Sequence, residues 1–210
     1  MGIINYLTFV ITAFIFIITP GIDTIFILNK SIAQGKKAGI YSLLGLNTGV
    51  LGHTLFAALG LSLIIAKSVI AFSVIKYLGA AYLIYLGVSK LLSKESLLDV
   101  DTQLEKVSDS NRQNFVSGFF TNILNPKVAL FFLAFFPQFI APELINDPKP
   151  FIILGLTCAV IGSLWFLLLT LFASYFSSYF KENPKSGNWL NKITGLAFVG
   201  MGLKIALSKR

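Results

Sequence analysis

Six long apolar stretches constrain this chain more than any other feature. They run approximately over residues 3–28, 38–66, 69–92, 115–136, 151–180 and 190–207. The hydrocarbon core of a bilayer is about 30 Å thick and takes about 20 mostly apolar residues per helix. A segment facing lipid must also satisfy its own backbone hydrogen bonds, which leaves helices and closed barrels. Barrel strands alternate apolar and polar residues, whereas these runs are continuous. The expected fold is all-α: a polytopic membrane protein of six transmembrane helices, with 1–210 as a single transmembrane domain. The first stretch has no Lys or Arg before Lys30, is longer than a signal-peptide core and lacks a small-residue cleavage site. It reads as a permanent helix.

Composition agrees. Charged residues make up 12% of the chain, half the share of about 25% usual in soluble domains, and hydrophobic residues make up 55%. Disordered, collagen-like, disulfide-rich and nucleic-acid-binding classes are excluded, since Cys158 is alone and the basic residues are scattered. The 17 Lys and Arg against 9 Asp and Glu therefore read as loop charge facing an anionic membrane surface. The first, third and fifth connections hold ten of them (Lys30, Lys36, Lys37, Lys90, Lys94, Lys106, Arg112, Lys181, Lys185, Lys192). The other side holds six: Lys67, Lys76, Lys149, Lys204, Lys209 and Arg210. The bias places odd-numbered connections in the cytoplasm and both termini outside. A polar linker over 93–114, with Glu95, Asp99, Asp101, Glu105 and Asp109, divides the chain into halves of approximately 1–92 and 115–210. Three spans per half put related halves in opposite orientations, the arrangement of inverted-repeat transporters.

Asp23 and Lys127 are the charged residues well inside the apolar stretches. Each follows a proline: Thr19-Pro20-Gly21-Ile22-Asp23 in the first half and Asn125-Pro126-Lys127 in the second. A charge at the bilayer centre costs about 2.5–3.5 kcal/mol on insertion scales and is rarely incidental. Proline breaks the helix and frees backbone polar groups, which are tolerated at depth only in protein or beside a wet cavity. Asp23 can hold an ammonium or a proton, while Lys127 and the helix start at Pro126 can hold a carboxylate. That pair suits a zwitterionic α-amino acid. The alternative is a structural pair that only neutralises itself. An unbroken first helix would also carry Asp23 toward the cytoplasmic end.

Helix two contains Gly45, Asn47, Gly49 and His53. Gly45 and Gly49 form a small face for close packing. Asn47 can line a polar path, and His53 is either a proton carrier or a hydrogen-bonded packing residue. Gly79 and Gly87, with Tyr82 and Tyr85, and Gly195, Gly200 and Gly202 read as packing faces that also permit a homodimer. Trp165 either faces a cavity or packs. The 20 Phe residues read as lipid-facing filler.

These motifs, with Gly35-Lys36-Lys37-Ala38-Gly39, Lys76-Tyr77-Leu78-Gly79-Ala80-Ala81-Tyr82-Leu83, Gly118 and Phe135-Phe136-Pro137-Gln138-Phe139, resemble the lysine exporter/homoserine–threonine resistance (LysE/RhtB) family. The family's Pro-Gly-Pro-Asp reads Pro20-Gly21-Ile22-Asp23 here, which implies a milder break. The resemblance implies a bacterial inner-membrane exporter of amino acids or related small molecules, driven by protons. It implies a site of Pro20, Gly21, Asp23, Asn47, Asn125, Pro126 and Lys127. No cofactor or metal is expected, and no nucleic-acid partner; substrate, protons and the lipid bilayer are the expected partners. Two other readings stand beside it. An intramembrane enzyme would use Asp23 or His53 as a base, but no hydrolase, zinc-protease or Walker signature is present. A metal-cation exporter would need soft ligands, and the chain has one Cys and one His.

Overall fold

The structure is a computed structural model describing residues 2–61, 69–92, 109–182 and 184–207. Most of the linker expected over 93–114 lies outside the described residues, as does the connection over 62–68. Every regular element among the described residues is helical; the single β feature is an isolated antiparallel bridge between Ile3 and Ile140.

Helix α1 (Tyr6–Ile18) ends just before Pro20, and α2 (Ile22–Phe56) starts just after it. Gly21 between them is fully extended, with φ −150° and ψ −165°. The first connection, expected as a loop carrying Lys30, Lys36 and Lys37, is instead helical. Its Lys, Ala, Gln and Ser residues are acceptable helix formers, so only Gly35 interrupts α2. Gly35 has φ 86° and ψ 174°, backbone that side-chain-bearing residues avoid. A π-helical turn, Ala57–Leu61, extends α2. Helix α3 spans Val69–Leu92.

The second half repeats the device. Helix α4 (Asn111–Ile123) opens on a capping box in which the Ser110 side chain and Gln113 satisfy each other's backbone amides. It stops before Asn125-Pro126, and α5 (Pro126–Leu130) restarts there, capped by the Asn125 side chain. A π-helical turn (Phe131–Phe135) and a 3-10 turn (Phe136–Phe139) follow. The pair is bent by 47° at the break. The fifth stretch divides into α6 (Pro148–Leu171) and α7 (Ala173–Glu182), and α8 spans Pro184–Leu207. By length and apolarity two of these helical stretches can cross a membrane, Ile22–Leu59 and Pro148–Leu171; the bent pair makes three if counted as one span.

Helix α2 packs along α4 and α6, and α3 packs along α8. Backbones meet where glycines remove the side chain. A Cβ on Gly45 would run into the carbonyl of Phe115, and one on Gly118 into that of Ser42. Gly87 and Gly195 close the α3–α8 contact in the same way. In lipid such close approach supplies the dispersion contacts that hold helices together, because the solvent is as apolar as the side chains.

The phenylalanines correct the expectation of lipid-facing filler. Phe9, Phe16, Phe131, Phe132, Phe135, Phe136, Phe139, Phe151 and Phe198 are buried in one cluster beside the breaks. Phe16 and Phe131 stack at 3.9 Å, and Phe132 and Phe136 at 4.2 Å. Phe14, Phe56, Phe120 and Phe172 do face outward as expected, beside Leu7, Ile70, Leu156, Val160, Leu164, Leu196 and Leu207. A surface this apolar requires an apolar solvent.

Candidate functional site

The two proline breaks face each other, and each charge is held by groups belonging to the opposite break. Asp23, in the first turn of α2 and 8% exposed, accepts hydrogen bonds from the side-chain amides of Asn122 (2.8 Å) and Asn125 (3.0 Å) at the end of α4. Lys127, in the first turn of α5, donates from Nζ to the carbonyls of Thr19 (2.9 Å) and Phe16 (3.1 Å) at the end of α1. Both placements follow from helix ends. The last carbonyls of a helix lack intrahelical partners and carry partial negative charge, so a cation settles there; an acid is favoured in a first turn. The rings of Phe16 and Phe198 close over the ammonium, with centroids 4.6 and 5.3 Å from Nζ.

Asp23 and Lys127 therefore share a site without forming a direct ion pair, unlike Lys30 and Asp109, which do pair. Both line a cavity with Gly21, Thr19, Asn122 and Asn125, and its apolar wall includes Val50, Phe132 and Phe166. The cavity has a volume of about 40 Å³, room for about three waters. Polar groups from both breaks converge on it. Gly21 lies against the lysine, so a methyl group there would stand 3.5 Å from Nζ.

The other expected residues lie around this centre. His53 is buried one step away, its Nε2 3.2 Å from the Asn122 carbonyl and its ring 5.6 Å from that of Phe132. Asn122 links it to Asp23, since the same residue meets both. Asn47 is not part of the cavity wall; it donates to the Ser163 hydroxyl, beside Gly162, which is part of that wall. Pro20 and Pro126 stand at the two breaks. Trp165 packs edge-on to Phe176 at 6.4 Å, against a second cluster formed by Ile27, Leu28, Leu43, Leu46, Phe166 and Leu169. Cys158 is a buried free thiol in the cavity wall. Among the described residues no three of His, Cys, Asp and Glu come together as metal ligands.

Asn122 escaped the reading of the sequence, yet it left a signal. It is an amide inside an apolar run, one turn before the Asn125-Pro126 break. Thr19 and Phe16 act through backbone carbonyls, which no side-chain pattern reveals.

The sequence matches the LysE type translocator family over residues 14–209. It is 41% identical to an uncharacterized membrane protein of Bacillus subtilis, YrhP, over 97% of this chain and 99% of the relative. It is 30% identical to an uncharacterized membrane protein of Vibrio cholerae over the full length of both. It is 32% identical to the leucine efflux protein of Klebsiella pneumoniae, over 98% of this chain and 96% of that protein. No solved structure matches it. With the family pattern running through both breaks and nearly end to end, this chain belongs to the LysE type translocators.

Proposed function

We propose that the protein exports amino acids or related small zwitterions across the bacterial inner membrane, by proton antiport with alternating access. The observation that carries this reading is the crossed pair of broken helices: a buried carboxylate and a buried ammonium on one cavity, each held by the opposite break. The substrate's ammonium binds Asp23. Its carboxylate binds the N–H of Lys127 that the two carbonyls leave over, since an ammonium has three donors. The side chain rests on Val50, Phe132 and Phe166, an apolar wall in keeping with the leucine efflux named for the relative. A proton and a substrate ammonium exclude each other on one carboxylate, and that exclusion couples the two fluxes. Six spans in two inverted halves, with odd-numbered connections cytoplasmic and both termini outside, would let the halves rock about the site. A homodimer is the assembly in which such a transporter would work.

The test is efflux from vesicles loaded with leucine and other single amino acids under an imposed pH gradient. Wild-type protein should release one class and acidify the lumen in step, since each exported molecule is exchanged for an entering proton. Asp23→Asn keeps the shape but turns an NH2 toward the NH2 of Asn122 or Asn125. It should insert normally and lose gradient-driven release. Wild-type release from that variant, or none of any amino acid from wild-type protein, would overturn the reading.

A further inference from the structure

Broken helices in transporters present unwound carbonyls that hold a small cation. Here those carbonyls, Phe16 O and Thr19 O, carry the ammonium of Lys127, reached across more than a hundred residues of sequence from the other half of the chain. The rings of Phe16 and Phe198 complete the enclosure, and aromatic faces attract cations further. We propose that the end of α1 is a monovalent-cation cage whose occupant is tethered: Lys127 stands where a free alkali or alkylammonium ion would otherwise sit.

The geometry makes the cage a feature in its own right. Asp23 already has two amide donors and forms no direct ion pair with Lys127. The lysine is thus not drawn in by its neighbouring carboxylate alone. It is held by carbonyl oxygens, which have no charge of their own and suit any cation of the right size. The charged groups acting on it are Asp23 from α2 and Lys90 from α3; α1 and α8 contribute carbonyls and rings. A tethered cation also satisfies the orphan carbonyls at the first break in every state where the cage is closed. The protein should accordingly need no sodium or potassium, and lose that independence when the tether is cut.

This inference rests on the export reading only for its transport consequence, so the test has a binding arm and a transport arm. Lys127→Ala removes the ammonium and the stem and leaves the cage open. In detergent, sodium or methylammonium chloride should raise the melting temperature of this variant by about 3 °C or more over the same concentration of N-methylglucamine chloride. Wild-type protein should show no such difference. In vesicles, the variant should be inactive in N-methylglucamine and recover at least several-fold in one of the small cations. Lys127→Met fills the cage with an apolar stem of similar length, so it should fold, show no cation-dependent shift and stay inactive. A Lys127→Ala protein indifferent to every small cation, or a Lys127→Met protein transporting at the wild-type rate, would overturn the cage. Wild-type vesicles exporting nothing, with the melting shift still present in Lys127→Ala, would instead sink the export reading and leave the cage standing.

Discussion

A carboxylate has about four acceptor positions, and Asp23 spends two on Asn122 and Asn125. The remaining capacity faces the cavity, which is why this residue can take a cation while staying anchored. Asn122 matters as a positioning residue: it touches Asp23, its own carbonyl meets His53, and its Oδ1 is buried without a partner. Removing a donor from a buried carboxylate costs about 1.5–3 kcal/mol, equivalent to roughly 10- to 100-fold in affinity. Asn122→Leu should therefore raise the KM for efflux by about that factor with a smaller change in maximal rate, measured on loaded vesicles. An equal fall in both would mean the amide does more than orient. The two charges were legible in the sequence because ionised groups stand out against apolar neighbours. Their ligands were only half legible, because Asn125 sits beside a proline while Asn122 looks like any polar residue in a helix.

At the scale of elements, the proline breaks could be read directly, since a missing amide and a ring clash are local facts. The continuity of α2 could not. Lysines at a membrane edge suggest a loop, whereas the local propensities there permit helix and only Gly35 departs from it. The phenylalanine cluster was hidden for a related reason: composition counts aromatic residues without saying which way a helix turns them. The glycine contacts give a sharp element-scale prediction. Gly118→Leu would force α4 off the Ser42 carbonyl and Leu46 amide of α2, and overpacking of this kind typically costs about 1–3 kcal/mol. The variant should lose folded yield and thermal stability in mild detergent. Gly200→Ala, with open space before it, should match or exceed wild type. Equal behaviour of the two would dismiss the close approach of α2 and α4.

A second contact between elements lies at the rim. Lys30 and Gln34, on either side of the last turn before Gly35, both donate to one oxygen of Asp109, and Asn114 at the start of α4 donates to Gln34. The Lys30 hydrogen bond, then that of Gln34, holds the Asp109 carboxyl below its ordinary value of 3.8. A lowered carboxyl stabilises the folded contact at every pH above 3.8, and the contribution fades as pH falls through the lowered value. Partly exposed pairs are worth about 0.2–1 kcal/mol. Amide exchange at Gln113 and Asn114, corrected for intrinsic rates, should thus show constant protection from pH 8 to about pH 5 and weaken only in stronger acid. Asp109→Asn should abolish that acid step. Protection that rises on acidification would contradict the sign of the shift.

At the scale of the whole molecule, these rim contacts bear on the topology proposed above. The proposed topology of six alternating crossings puts the first and third connections on one face, and the amino terminus with the fourth connection on the other. Two contacts agree with that parity: Lys30 with Asp109 on one face, and Ile3 with Ile140 on the other, where Ile4 also donates to Phe139 at 2.9 Å. Local hydropathy could not have supplied this, because it counts stretches and says nothing about which ends touch. The charge bias then chooses the face: ten basic residues against six favour the Lys30 side as cytoplasmic. Lys36 and Glu143 are exposed on opposite faces under this scheme, and Cys158 is buried, so its replacement by Ala leaves a thiol-free background. In intact cells a membrane-impermeant maleimide should label Glu143→Cys and leave Lys36→Cys untouched until the cells are broken. The reverse pattern would invert the orientation and leave the fold intact. Labelling of both from outside would break the parity itself, and with it the placement of the Lys30–Asp109 contact on the face from which an exporter must load.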